Sequence, residues 1–328
     1  PARRLADALG LPGGLAPEPQ RIEIEHAGAV SGGELWAMML DPAVTFDGLV
    51  HQHAANEEQA ARIIENRFYR NIASALSGTQ EYMAAETLHA LHGDDRFDVV
   101  IVDTPPSRHA LDFLEAPGVL TRFLDHRLFR VMMLPARKGM GVFNLAAQPV
   151  LRAVGKVVGS DVLADAVAFF QAFAGMEGGF RDRADAVAAL LRSDVTGFVL
   201  VASARHDTVV EAVWFARQLD RHEATVSAAI VNRVHPRFGT WSAAAAAANA
   251  DEATSNGEQD GEHGGDSLGA LWRNAAELAA MRDAELAVIS PLEKKVGAER
   301  VSEVPLLHGD VHDLAALERI RATLFDDR

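Results

Sequence analysis

The chain is 328 residues long, 48% hydrophobic and 23% charged, which suits one large α/β domain or two smaller ones. Its 31 Lys and Arg against 46 Asp and Glu leave a formal net charge of −15, which argues against general nucleic-acid binding. Cysteine is absent, so disulfide frameworks and thiolate metal sites are excluded; no apolar run has transmembrane length, and the chain reads as cytosolic.

LWAMMLD at 35–41 is expected as a strand ending at the turn before Pro42. Residues 55–76 and 80–93 have helical spacing and many helix formers. FDVVIVD at 97–103 is expected as a strand, because Val99, Val100, Ile101 and Val102 form the continuous β-branched run of a central parallel strand. Asp103 would then stand at the carboxyl tip of that strand, where open α/β sheets bind ligands, beside Thr104 and a loop stiffened by Pro105 and Pro106. A carboxylate there can hold a magnesium ion through water, or it can simply cap the helix that begins near Ser107. Residues 107–193 read as helical almost throughout, with breaks near Pro117, Pro135 and Pro149. A strand at 196–203, a helix at 207–219 and a strand at 226–234 follow.

Residues 242–268 open on an alanine-rich run and continue into six acids with no Lys or Arg, and read as a disordered acidic insertion. After it come a helix from about 269 to 285, a strand at 284–290, a short strand at Val304 and a helix at 312–325. Strands separated by helical segments give the fold class α/β, with a doubly wound, mostly parallel sheet. The helical stretch at 115–193 is expected as a subdomain inserted in that sheet. Within it, residues 117–160 hold seven basic residues against one acid, Asp125, together with Met132, Met133, Met140 and several Leu and Phe. Such a basic, methionine-rich apolar surface suits a membrane face or a partner helix, and it equally suits a helical subdomain with its own core.

Several segments follow one another in a telling order: PARRLADALGL at the start, SGTQEYMAAETL (77–88), VVIVDTPPSRHALDFL (99–114), IVNRV (230–234) and VPLL with DVHDLAAL (304–317). That order resembles the anion-transporting ATPase family of the ArsA type, which includes the tail-anchored-protein targeting ATPases. The resemblance implies a P-loop NTPase fold, ATP and Mg²⁺ as ligands, and action as a homodimer or as a heterodimer with a paralogue. The family's switch II stretch reads roughly Asp-Thr-Ala-Pro-Thr-Gly-His-Thr; Asp103, Thr104, Pro106 and His109 match it, whereas Pro105, Ser107 and Arg108 depart from it. By the same resemblance Asp103 holds Mg²⁺ through water. Asn232 contacts the adenine edge, a task its amide suits by offering donor and acceptor, although a strand-end turn Asn reads the same way. Pro305 falls in the loop that packs on adenine. Arg205 stands where relatives carry a nucleotide-contacting Glu and could meet a phosphate directly. Thr104, Pro106 and His109 couple the switch to the partner subunit, and Gly78, Gln80 and Glu81 match a dimer-facing motif loosely.

The family's Gly-Lys-Gly-Gly-Val-Gly-Lys-Thr phosphate loop occurs nowhere in the chain, and Pro1 is no initiator Met, so the sequence is expected to be an N-terminally truncated fragment, inactive as it stands. The function implied is a Mg²⁺-dependent ATPase switch that drives a hydrophobic cargo or membrane-protein partner through 117–160. The alternative is a non-hydrolysing pseudo-ATPase that pairs with a complete paralogue. Arsenite is not expected as a ligand, because the pump ATPases bind it through cysteines and this chain has none.

Overall fold

The computed structural model of the protein describes residues 2–11, 14–22, 33–70, 79–104, 107–125, 160–260 and 264–325. The chain divides into two units: residues 1–14, 21–35 and 197–328 form one, and residues 15–20 and 36–196 the other.

The first unit contains helix α1 (Ala2–Ala8) and is built on three parallel strands in the order β3 (Phe198–Ser203), β4 (Val226–Val234), β5 (Val301–Pro305). Two earlier short strands, β1 (Gln20–Ile22) and β2 (Leu35–Ala37), form a separate two-stranded sheet among the described residues. All three parallel strands stand where the sequence places them. Helix α8 (His206–Arg221) buries Val209, Ala212, Phe215, Ala216 and Leu219, a spacing of three and four that faces one side of the helix to the core. On β3, Leu200 and Ala202 are buried while Val199 and Val201 are exposed, so among the described residues this strand alternates, with one face to the core.

The region after β4 differs from expectation. Helix α9 (Ala243–Asp260) occupies most of the stretch read as disordered, and α10 begins at Gly264 and runs to Val296. Close packing replaces solvation there: Ala246 and Ala250 are buried, and a Cβ on Gly269 would come within 2.4 Å of Thr254 Oγ1. The strand expected at 284–290 is also part of α10. AELAVIS has strand-like composition, but Ile289, Leu292 and Val296 are buried at helical spacing, and packing overrides the local preference. A single turn of 3₁₀ helix (Ala298–Arg300) leads into β5, and α11 (Leu314–Phe325) closes the unit.

The second unit is helical: α2 (Pro42–His53), α3 (Glu57–Ile64), α4 (Thr79–His92), α5 (Ser107–Asp125), α6 (Ser160–Phe173) and α7 (Glu177–Leu191). Asp41 caps α2, accepting from Ala43 N at 2.9 Å and Val44 N at 3.2 Å, with Pro42 in the first turn. Asn56 caps α3 through Gln59 N at 2.9 Å, and Gln59 Oε1 returns a bond to Ala55 N at 2.8 Å. Pro117 does not end α5; the helix passes through it, forgoing one backbone bond, and the Thr121 hydroxyl donates to Pro117 O at 3.1 Å. Pro135 and Pro149 lie outside the described residues.

The core of this unit is aromatic. Phe169 stacks on Phe173 at 5.6 Å, Phe173 meets Phe180 at 5.1 Å, and Phe46 stacks on Tyr69 at 5.0 Å. Tyr69 donates its hydroxyl to Asp47 at 2.6 Å, and burial pushes its ionisation far above the usual phenol range.

The strand expected at 97–103 is absent as a strand. Residues 99–104 join no ladder among the described residues, and Ile101 is 89% exposed. A β-branched run supplies the preference for a strand, but pairing supplies its hydrogen bonds, and no described strand pairs with it.

Phe180 is 1% exposed, and the neighbouring Gly179 leaves the space that the His53 ring fills. Phe180→Ala is expected to lower the unfolding free energy by about 3–5 kcal/mol. Gly179→Ala would set a Cβ 2.5 Å from His53 Nδ1 and should cost about 1–3 kcal/mol. Urea unfolding followed by circular dichroism checks both; a Gly179→Ala protein as stable as wild type would mean the His53 ring has room to move.

Candidate functional site

The registers of the two strand pairs align Ser203 on β3, Asn232 on β4 and Val304 on β5, and Val234 with Pro305. Three sequence candidates therefore gather at one carboxyl edge of a parallel sheet: Arg205, Asn232 and Pro305. This is the edge at which open α/β sheets bind ligands.

Arg205 is the N-cap residue of α8, although its side chain makes no capping bond. Its guanidinium instead lies along Asp207, with Nε 3.3 Å from Oδ1 and Nη2 3.4 Å from Oδ2. The Arg205 hydrogen bond holds the Asp207 carboxyl below the usual carboxylate range. The turn between β3 and α8 is fixed by Thr208, whose Oγ1 is 2.8 Å from Ser203 O and 3.1 Å from Arg205 O.

Asn232 is exposed, and the next residue explains how. Along β4, Ala229 and Val231 point into the core, and regular alternation would send Arg233 inward and Val234 outward. Arg233 instead adopts a left-handed backbone at φ 64°, the pairing with β5 shifts register between Asn232 and Val234, and Val234 is buried while Arg233 stays outside. A one-residue bulge thus re-phases the strand at the site.

A network that the sequence reading missed holds the chain just beyond. Glu285 Oε2 accepts from His235 N at 2.8 Å, and Glu285 Oε1 faces His235 Nδ1 at 2.7 Å. Arg282 donates through Nη1 to His235 O at 2.6 Å and through Nη2 to Glu303 Oε2 at 2.8 Å. No sequence pattern signals this, since His235 and Glu285 are 50 positions apart.

Asp103 and Thr104 belong to the helical unit, and both are exposed. Among the described residues no three His, Asp or Glu side chains gather to hold a metal. Magnesium at phosphate sites characteristically takes one or two carboxylates and leaves the rest of its shell to water and phosphate, so the exposed oxygen donor of Asp103 fits that demand. His109 lies in α5, Gln80 and Glu81 lie in the first turn of α4, and Pro106 and Gly78 lie outside the described residues. So does most of the basic apolar stretch, 126–159; its acid, Asp125, pairs with Arg181 at 2.9 Å.

The helical unit holds a second concentration of polar groups. Glu86 is 2% exposed and bonded to Arg183 Nε. Among the described residues, Glu86 Oε2, Tyr82 Oη, His53 Nε2 and His89 Nδ1 are buried with no hydrogen-bond partner at normal distance and angle, although Tyr82 and Glu86 lie close enough for each to shift the other's ionisation. Burial pushes the Glu86 carboxyl above its usual range, opposed by Arg183. Burial likewise pushes the Tyr82 phenol up, and pulls His89 down. These buried polar atoms around one ion pair make this a pin within the core whose energy depends on Arg183.

The geometry describes an α/β protein built on a parallel three-stranded sheet, consistent with a fold of the P-loop NTPase type. The sequence profile of the family described as Anion-transporting ATPase matches residues 1–240, and the chain belongs to that family. It is 25% identical over 236 residues to the ATPase get3 of Schizosaccharomyces japonicus, across 71% of this chain and 63% of that protein. It is 28% identical over 124 residues to the ATPase GET3 of Malassezia globosa, across 38% of this chain and 33% of that protein. The matched part thus spans less than two thirds of either relative. Among the described residues no helix is long and apolar enough to cross a membrane.

Two outcomes test this geometry. Arg233→Gly should be tolerated, whereas Arg233→Ile should cost at least about 1 kcal/mol, since a β-branched residue resists the left-handed region; differential scanning calorimetry separates them. Arg183→Met strands the Glu86 carboxylate and should cost about 3 kcal/mol near pH 7.5. Because the folded value of Glu86 lies above its unfolded one, its contribution to stability is full below the unfolded value and is lost as pH rises through the folded value. Removing Arg183 raises the folded value further, so the variant should recover part of its deficit near pH 5. Urea unfolding at both pH values reads this, and a deficit independent of pH would contradict it.

Proposed function

We propose that this chain belongs to an ATP-hydrolysing, Mg²⁺-dependent switch of the ArsA type, acting in the cytoplasm as a homodimer or as a heterodimer with a paralogue. The observation that carries this reading is the Asn232 amide, exposed at the carboxyl edge of the parallel sheet and level with Ser203 and Val304, in a member of this ATPase family. An Asn side chain matches the donor and acceptor pair on an adenine edge. Pro305 offers the base an apolar surface beside it, and Arg205 offers a cation that can exchange Asp207 for a phosphate.

Asp103 is the residue to hold Mg²⁺ through water; that ion, when bound, offsets charge on the phosphates. Thr104, Pro106 and His109 follow it directly and are read as coupling the nucleotide state to the partner subunit. Residues 117–160 are read as the surface for a hydrophobic cargo or a membrane-protein partner, consistent with their positive charge and methionines. The negative net charge of the chain speaks against a nucleic-acid ligand.

Steady-state ATPase assays on the full-length protein test the assignment. Asp103→Asn should lower turnover by roughly 100-fold while changing ATP affinity much less. Asn232→Ala should raise KM for ATP and relax the preference over GTP while sparing kcat. A thermal melt controls for unfolding. Wild-type turnover by Asp103→Asn would make that carboxylate a cap, and ATP binding without any turnover in the parent protein would favour the pseudo-ATPase.

A further inference from the structure

The left-handed Arg233 aims the end of β4, yet a non-glycine residue in that conformation is disfavoured by about 1–2 kcal/mol and needs support from its surroundings. The support lies one residue past Val234. The peptide of His235 is gripped at both ends: its N–H donates to Glu285 and its carbonyl accepts from Arg282. Glu285 also takes the ring Nδ1, which must be the donor because a carboxylate only accepts. Arg282 continues to Glu303 on β5, so one guanidinium ties β4 to its neighbour. The ladder runs on as well, with Leu306 N donating to Val234 O at 2.8 Å. These four side chains are part-buried, 18–31% exposed, where ionic hydrogen bonds are stronger than at a wet surface. Arg282 and Glu285 are three apart on α10 and therefore share a face.

We propose that Arg282 and Glu285 are positioning residues that set the direction of the Asn232 amide, and through it the preference for adenine over guanine. This rests on the reading of Asn232 as the adenine contact. Neither side chain touches the base; both act by holding the bulge that follows Asn232. Guanine offers an acceptor where adenine offers a donor, so a small rotation of a fixed amide is enough to lose discrimination. Ion pairs that only held β4 to α10 would affect stability and leave the base preference alone.

The test uses the full-length protein and displacement of a fluorescent ATP analogue by ATP, GTP and inorganic tripolyphosphate. Arg282→Met keeps the stem and removes the fork. It should reduce the ATP-to-GTP affinity ratio about fivefold to tenfold, as expected for coupled neighbours, without changing tripolyphosphate affinity. Glu285→Gln, which keeps a single acceptor, should show a smaller shift in the same direction. In an Asn232→Ala background, Arg282→Met should have no further effect on the ratio. Arg282→Lys, milder in its effect on folding, should fall between wild type and Met because it cannot bridge both acceptors. The proposal is overturned if the Arg282 variants keep the wild-type ratio while Asn232→Ala loses it; the adenine reading then stands alone. It is also overturned if the effect persists in the Asn232→Ala background, or if tripolyphosphate affinity falls equally. An Asn232→Ala protein with an unchanged ratio would remove the adenine reading and this proposal together.

Discussion

The register of β4 between its two neighbours governs the whole sheet unit. Ala229, Val231 and Val234 are fully buried, and Asn232 lies outside between them. A slip of one residue would turn the valines to solvent and press an amide into the core, where an unpaired polar group costs about 1–3 kcal/mol. The hydrophobic positions therefore fix the place of the polar one. The bulge at Arg233 lets both demands be met, because Asn232 stays at the edge while the strand regains its core contact at Val234.

The two units handle buried charge differently. In the sheet unit the Arg282, Glu285, Glu303 and His235 side chains bond one another and backbone groups, so the network can define a geometry. In the helical unit one Glu86 oxygen bonds Arg183, and among the described residues the other has no partner at normal distance and angle. That arrangement depends on a single guanidinium and on pH, whereas the aromatic packing around Phe169, Phe173 and Phe180 does not titrate.

Much of the sheet unit was legible in the sequence. FVLVAS and VSAAIVNRV carry strand composition between clear turns and a short strand is expected at Val304; the structure pairs all three as parallel strands, the last spanning Val301–Pro305. The resemblance implies roles for Arg205, Asn232 and Pro305, and the strand registers with the β3–α8 turn set them at one edge. Other parts were not legible. VVIVD at 99–103 has the same composition as a core strand, but composition cannot say whether a neighbour is present to accept its bonds. AELAVIS read as a strand because a short apolar run has no period of its own; only its burial pattern reveals the helix. The acidic stretch at 249–266 has disordered composition, yet the alanine-rich run before it packs on α10, and the chain is helical as far as Asp260. The clamp on His235 joins residues distant in sequence and left no mark in spacing or composition.

Helix α10 carries one more implication. Its only proline, Pro291, lies beyond the clamp, so the stretch from Ser267 to Glu285 is an uninterrupted rod of about 27 Å. At its outer end Leu268 and Leu271 are exposed; at its inner end Arg282 and Glu285 hold the strand terminus. Tip and clamp belong to one stiff body, so the direction of α10 and the hold on the peptide of His235 are set together.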